Sequence, residues 1–156
     1  MTHRRDWTDP QCPVARAADL VGDRWSLLIV RDAFDGARRF TEFQRSLGMA
    51  RNILSDRLRT LVDSGILASV PNDAGTRTEY RLTERGRDLF GVIVSLRQWG
   101  ERNAFADGEA HSTLIDDATG QAVPVVRVLD RDGVTLDSAA THVERVPSGS
   151  DRSGLS

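Results

Sequence analysis

Arg51, Asn52 and Ser55 stand at the start of an amphipathic stretch, and Arg59 follows on the same face. These are side chains that read base edges. Arg can grip guanine through two hydrogen bonds, Asn can do the same with adenine, and Ser serves either. Arg59, further along, suits a phosphate. Arg77 stands apart, in a polar turn, where a guanidinium could lie over backbone phosphates or in a minor groove. Taken singly, each has a plainer reading: the wet face of a surface helix, and an ordinary hairpin with one exposed charge. What decides between the readings is the set of elements that must hold them.

The stretch from Ala50 to Ser64 reads as a helix stopped by Gly65. Its inner face is Ile53, Leu54, Leu58, Leu61 and Val62, and its outer face carries Asn52, Ser55, Asp56, Arg59 and Asp63, with Arg51 at the shoulder. Arg57 falls on the inner side, where a structural salt bridge is at least as good an account as DNA contact. Asp56 and Asp63 would repel phosphate, so they are expected to pair with arginines or to lie away from the backbone. A shorter helix precedes it. Thr41 followed by Gln44 is a capping-box spacing, Phe43 and Leu47 point inward, and Gly48 breaks the helix. Arg39 and Thr41, at the start of that helix, complete the candidates for DNA contact.

After Gly65, Ile66–Val70 reads as a strand, 72–76 as a turn, and Thr78–Leu82 as the return strand. Two short helices around a tight turn, followed by a hairpin with an arginine near its tip, make a winged helix-turn-helix. That arrangement presents its second helix to a major groove.

The flanks fit this reading. Pro13 suits the first turn of a helix ending at Gly22. A second, largely buried helix runs from Asp23 to about Phe34. Thr83 caps a helix continuing to about Asn103, with Leu89, Val92, Ile93, Leu96 and Trp99 along one stripe. That stripe exceeds what a small winged domain needs to cover, so it is read as a subunit interface across a two-fold; the alternative is packing against residues 14–34 alone.

Composition bounds the rest. The 156 residues make one domain with a small appendage, and 39% are apolar, enough for one core. All 21 basic residues are arginine, as GC-rich codons would give. The net charge of −2 conceals an asymmetry: residues 38–87 carry 10 Arg against 6 acids, whereas residues 104–156 carry 4 Arg against 9 acids. The local patch can serve phosphate even though the whole is acidic. No apolar run approaches the ~20 residues of a membrane span, and the N-terminus has no secretory h-region, so a cytoplasmic protein without membrane attachment is expected. There is no phosphate-binding glycine loop, no metal-ligand spacing and no nucleophile elbow. Neither an enzyme, a metal nor a cofactor is expected.

The expected class is α+β, mainly helical. Residues 1–11 read as a flexible arm, 12–103 as the winged domain with dimerisation helices, 104–146 as a short β-rich extension, and 147–156 as a disordered tail. In the extension, Ser112–Ile115, Gln121–Leu129 and Val134–Leu136 look like strands. Asp130, Asp132 and Gly133 read as a β-turn, because the bidentate acid of a calcium loop is missing.

In order and spacing, several segments resemble the HxlR-type regulators of bacteria and archaea. They are Cys12-Pro13-Val14, residues 22–29 (GDRWSLLI), residues 38–43 (RRFTEF), residues 54–58 (LSDRL), residues 65–67 (GIL), residues 79–83 (EYRLT) and Trp99-Gly100. The likeness runs from Cys12 to about Glu101. It implies a homodimer that binds near-palindromic operators in double-stranded DNA and usually represses transcription, with the terminal helices forming the dimer. It also aligns Cys12 with a cysteine that senses electrophiles or oxidants in several relatives. A thiolate before a helix start would gain from the helix dipole, with Arg16 one turn on. The alternative is a small buried hydrophobe near the dimer contact. One departure is Ala50, where many relatives place Ser or Thr as N-cap, a difference worth ~1 kcal/mol. A small-molecule inducer stays open as a further partner. The competing function is a winged-helix adaptor that binds proteins or small molecules and not DNA; the arginines at 51, 59 and 77 favour DNA.

Overall fold

A computed structural model describes residues 6–147. The expected tail therefore lies outside the described residues except for Pro147, as do residues 1–5 of the expected arm. The elements run α1 (Pro13–Val21), α2 (Arg24–Phe34), α3 (Phe40–Leu47), α4 (Arg51–Asp63), β1 (Leu67–Pro71), β2 (Thr78–Leu82), α5 (Glu84–Arg87), α6 (Phe90–Asn103), β3 (Ile115–Asp116) and β4 (Gln121–Ala122), with a final 3₁₀ turn at Ser138–Ala140. The fold is helical with small antiparallel sheets: β1 pairs with β2 and β3 with β4.

The core lies between α2, α3, α4 and the base of the hairpin. Ile29, Val30, Phe43, Leu54, Leu58, Leu61 and Leu67 are essentially inaccessible to solvent. Burying one such side chain stabilises by roughly 1.5–3 kcal/mol, so this cluster orients α4. Ile53, expected on the inner face of α4, is 45% exposed instead. The helix begins only at Arg51, and its first turn projects beyond the core that Leu54 reaches.

The ends of the helices are set by side chains. Asp23 caps α2 by accepting the Ser26 N–H at 3.0 Å. The start of α3 differs from the expected Thr41–Gln44 box. The helix begins at Phe40, and Glu42 reaches back to accept the N–H groups of Arg38 (2.7 Å) and Arg39 (2.9 Å). A carboxylate accepts these donors better than a glutamine would, and the N-cap falls at Arg39, two residues before Thr41. Gly48 ends α3 in the left-handed region (φ +62°), open to glycine at no steric cost. Ala50 is the N-cap of α4 and contributes no side-chain bond.

The expected single helix from Thr83 is two pieces. Thr83 does cap it, accepting the Gly86 N–H at 3.0 Å. The chain then turns at Asp88–Leu89 before α6 begins. The first piece lies close against the hairpin: a Cβ on Gly86 would overlap the Ile66 carbonyl oxygen. The short α5 is thus pressed against the entry to β1.

The extension has less strand than expected. Only two residues pair in each of β3 and β4, and Leu129 bridges Thr135 beyond them. Its backbone is held instead by α6. The buried Gln98 donates from Nε2 to the Pro124 carbonyl (3.0 Å) and accepts the Val126 N–H at Oε1 (2.8 Å). Arg97 donates to the Ser112 carbonyl and hydroxyl. Asp130 forms the expected turn, accepting the N–H groups of Asp132 and Val134.

At the other end, residues 6–11 lie against α1. Thr8 donates its N–H and hydroxyl to Asp19 (2.9 and 2.8 Å), and Arg16 sits over the Trp7 ring.

Candidate nucleic-acid interface

The turn between α3 and α4 fixes the candidate reading side chains. Arg51 and Asn52 are exposed in the first turn of α4, and Ser55 is half-buried behind them. The three, with Phe40 of α3, line one shallow depression. The Arg51 guanidinium lies 4.9 Å from the Phe40 ring centre. A cation over an aromatic face keeps its hydrogen-bonding edge free while losing some of its freedom to swing. A pre-placed fork of this kind suits a planar acceptor pair such as a guanine edge.

Arg59, two turns along α4, is exposed and 3.3 Å from Asp56. Both partners are about two-thirds exposed, so the pair is worth little in itself and opens readily to a phosphate. It is the pairing with an arginine expected for Asp56. Arg57 makes the structural ion pair, 3.6 Å from Asp23. Burial would raise the Asp23 pKa, but the Ser26 hydrogen bonds and the Arg57 charge together outweigh it and hold the carboxyl below its usual range.

Arg39 and Thr41 are exposed at the amino end of α3. Their backbone is fixed by Glu42, whose pKa is lowered by the N–H groups of Arg38 and Arg39. Arg38 was not among the candidates, and the structure gives it another task. Its guanidinium donates to the Ala33 and Ala37 carbonyls (3.0 and 3.1 Å), closing the end of α2. Its own carbonyl accepts the Tyr80 N–H at 2.7 Å, joining the hairpin to the helix pair.

The hairpin is built for a rigid tip. Leu67 pairs with Leu82 and Pro71 with Thr78. Asn72 Oδ1 accepts the N–H groups of Thr76 (2.9 Å) and Arg77 (3.3 Å), and the Asn72 N–H returns to the Arg77 carbonyl at 2.7 Å. The Arg77 backbone is therefore held while its side chain stays in solvent. Arg81 is 3.1 Å from Glu79 and 3.9 Å from Asp73, so its charge is already answered.

The other sequence candidates lie elsewhere. On α6, Val92, Leu96 and Trp99 are 52%, 49% and 59% exposed, whereas Leu89 and Ile93 pack against the chain's own core. Cys12 is the N-cap of α1, half-buried, with its Sγ accepting the Ala15 N–H at 3.4 Å. Arg16 is directed away from it, donating from Nε to the Pro10 carbonyl. Sequence reasoning missed Arg38, Arg97 and Gln98. An exposed-looking arginine and an interior glutamine carry no signal of their backbone partners.

Residues 20–107 match the HxlR-like helix-turn-helix family. An uncharacterized HTH-type transcriptional regulator of Mycobacterium tuberculosis, Rv3095, is 56% identical over 89 residues, covering 56% of each chain. The chain thus spans little more than half the length of such curated relatives. The crystal structure of PA1607, a candidate transcription factor, is 51% identical, with a TM-score of 0.85 over 88% of this chain and 97% of that one. The redox regulator HypR in its reduced form is 32% identical, with a TM-score of 0.56 over 60% of this chain and 94% of that one. No helix among the described residues is long and apolar enough to cross a membrane.

Proposed function

Because the chain belongs to the HxlR-like helix-turn-helix family, a family of transcriptional regulators, we propose that it is a sequence-specific repressor acting as a homodimer on a near-palindromic operator. The observation that carries this is the shared depression of Arg51, Asn52 and Ser55 at the start of α4. The reading side chains converge where a second helix meets base edges. Arg39, Thr41, Arg59 and Arg77 supply the flanking contacts. Two copies are joined through α6, where Val92, Leu96 and Trp99 leave an apolar stripe in solvent. Two-fold symmetry in the protein then calls for two-fold symmetry in the site.

A redox input through Cys12 is a second reading, favoured by its place at the amino end of α1. With one cysteine in the sequence, oxidation would act by mixed thiolation or by a bridge to Cys12 of a second copy.

Affinity selection from sheared genomic DNA at ~150 mM salt, with and without reductant, tests both. Salt at that level suppresses purely electrostatic binding. Enrichment of a palindromic site supports the repressor reading. Its loss without reductant supports Cys12, provided that Cys12→Ser abolishes the difference. Absence of enrichment in both conditions overturns the operator reading in favour of a winged-helix adaptor.

A further inference from the structure

A cleft of about 770 Å³ lies between α2, α6 and the start of the extension. This is the size of small-molecule sites. Leu27, Leu28, Ile93 and Phe105 give it apolar walls, and Phe105 stacks obliquely on His111 at 5.1 Å. Its charged lining is three carboxylates, Asp32, Asp35 and Glu101, against Arg31 and Arg97.

One of those carboxylates is out of place. Asp32 is 5% exposed, in the last turn of a helix whose other buried side chains are Ser26, Ile29, Val30 and Ala33. Its Oδ1 accepts both the Nε and Nη2 groups of Arg31, at 2.9 and 2.7 Å. Its Oδ2 is buried and receives no hydrogen bond among the described residues. Leaving a charged acceptor in that state is costly. The other cation in the lining does not reach it, because Arg97 is committed to Ser112. Asp32 is nonetheless one of the residues lining the cleft, and Arg31, the cation that holds its Oδ1, is one-third exposed at its side chain.

We propose that this cleft binds a hydrophobic cation: an amine or amidine head that displaces Arg31 and donates to the Asp32 carboxylate, carrying an apolar or aromatic body against Leu27, Leu28, Ile93 and Phe105. The excess of carboxylates selects against anions, and the unmet acceptor selects against neutral molecules without a donor of comparable strength. The site is separate from the face that meets DNA and is tested without DNA. Its failure therefore leaves the base-reading assignment untouched, although Leu96, in the wall of the cleft, also belongs to the stripe proposed as the subunit seam.

The probes are 2-naphthylmethylamine, the neutral 2-naphthylmethanol and the anionic 2-naphthoate, titrated into the full chain by calorimetry. The expected result is saturable binding of the amine, with the alcohol weaker by about tenfold and the carboxylate weaker still. Asp32→Asn should bring amine and alcohol to about equal affinity. Gly100→Leu is the second variant. Gly100 lines the cleft, and a Cβ built there meets nothing within 4 Å, so a larger side chain is admitted at the cleft wall without a clash. It should abolish binding of the amine. The proposal is overturned if no probe binds at millimolar concentration, if alcohol and amine bind alike to the native chain, if the preference survives Asp32→Asn, or if Gly100→Leu binds the amine unchanged.

Discussion

The Tyr80 N–H donates to the Arg38 carbonyl at 2.7 Å. That bond lets the segment before α3 run beside β2 as if it were a further strand. The Tyr80 ring also meets Phe43 of α3 edge-on, with centroids 6.4 Å apart. Hairpin and helix pair are therefore one rigid unit. Arg38 and Arg39, adjacent in sequence, divide the work: one closes α2, and the other faces solvent. Arg38→Ala is expected to lower stability by about 1–2 kcal/mol, since two bonds from a charged donor are lost, while the salt dependence of DNA binding stays as it was. Arg39→Ala should do the opposite. Urea denaturation paired with DNA titration separates the two, and equal stability losses would refute the division.

Base reading and backbone contact should also part company. Replacing Arg51 or Asn52 with Ala is expected to cost about 1–3 kcal/mol of preference for the operator over unrelated DNA, with the dimer intact. Arg77→Ala should weaken both DNAs alike and reduce the slope of log affinity against log salt by about 0.9. Fluorescence anisotropy across a salt series would show this. Unchanged preference after the Arg51 change would remove that residue from the reading set.

Acid should weaken the tie between α4 and α2. Asp23 has its carboxyl held below the usual aspartate value of 3.8. A lowered folded-state pKa contributes stability above the unfolded value, and that stability is lost as pH falls through the folded value. Asp23→Asn keeps a competent N-cap but gives up the charge opposite Arg57. The melting temperature of the variant should lie below that of the native chain at pH 6, and the gap should close as pH falls below 3.8. A gap that stays constant down to pH 2.5 would show that the Arg57 pair contributes nothing.

The α6 stripe gives a prediction about assembly. Val92→Glu together with Trp99→Glu places charge on two side chains that are more than half exposed, so the isolated fold should tolerate it. Sedimentation is expected to show monomers, with operator affinity falling because one half-site contact no longer recruits the other. A persistent dimer would move the interface elsewhere.

The winged domain was legible in the sequence because its elements announce themselves locally. The 3.6-residue period of α4, Gly48 and Gly65 at its borders, and the alternation of Thr78–Leu82 each depend on near neighbours. What escaped depends on distant atoms. Glu42 rather than Thr41 and Gln44 caps the start of α3, because two N–H groups before the helix turn toward it. The Ile66 carbonyl lies under Gly86 and the helix breaks just beyond, at Asp88–Leu89, and no periodicity reports either. In the extension, alternating apolar residues such as Val126 and Val128 promised strands, yet both are largely exposed. A side chain on α6 supplies the hydrogen bonds that a neighbouring strand would have given. The DNA-contact candidates could be named from spacing alone, whereas the stacking of Arg51 on Phe40 required the geometry of the turn.

Gln98 is the sharpest test of how the extension is held. It is 7% exposed and spends both ends of its amide on backbone groups of residues 124 and 126. A helix interior offers few reasons to bury an amide, and this one substitutes for a strand edge. Gln98→Ala leaves the Val126 N–H and the Pro124 carbonyl without these partners, at a cost of about 1 kcal/mol each, since both residues are exposed. Detachment avoids that cost, because freed groups are met by water. The expected outcome is therefore a modest loss of global stability with a large local effect. Amide exchange at Val126 and proteolysis across residues 110–130 should rise sharply, while exchange in α4 and β2 stays slow. Gln98→Glu keeps the acceptor for Val126 but loses the donor to Pro124, and should fall between the two. Uniformly faster exchange through the whole chain would mean that Gln98 supports the core, and that the extension is fixed by Arg97 and the turns alone.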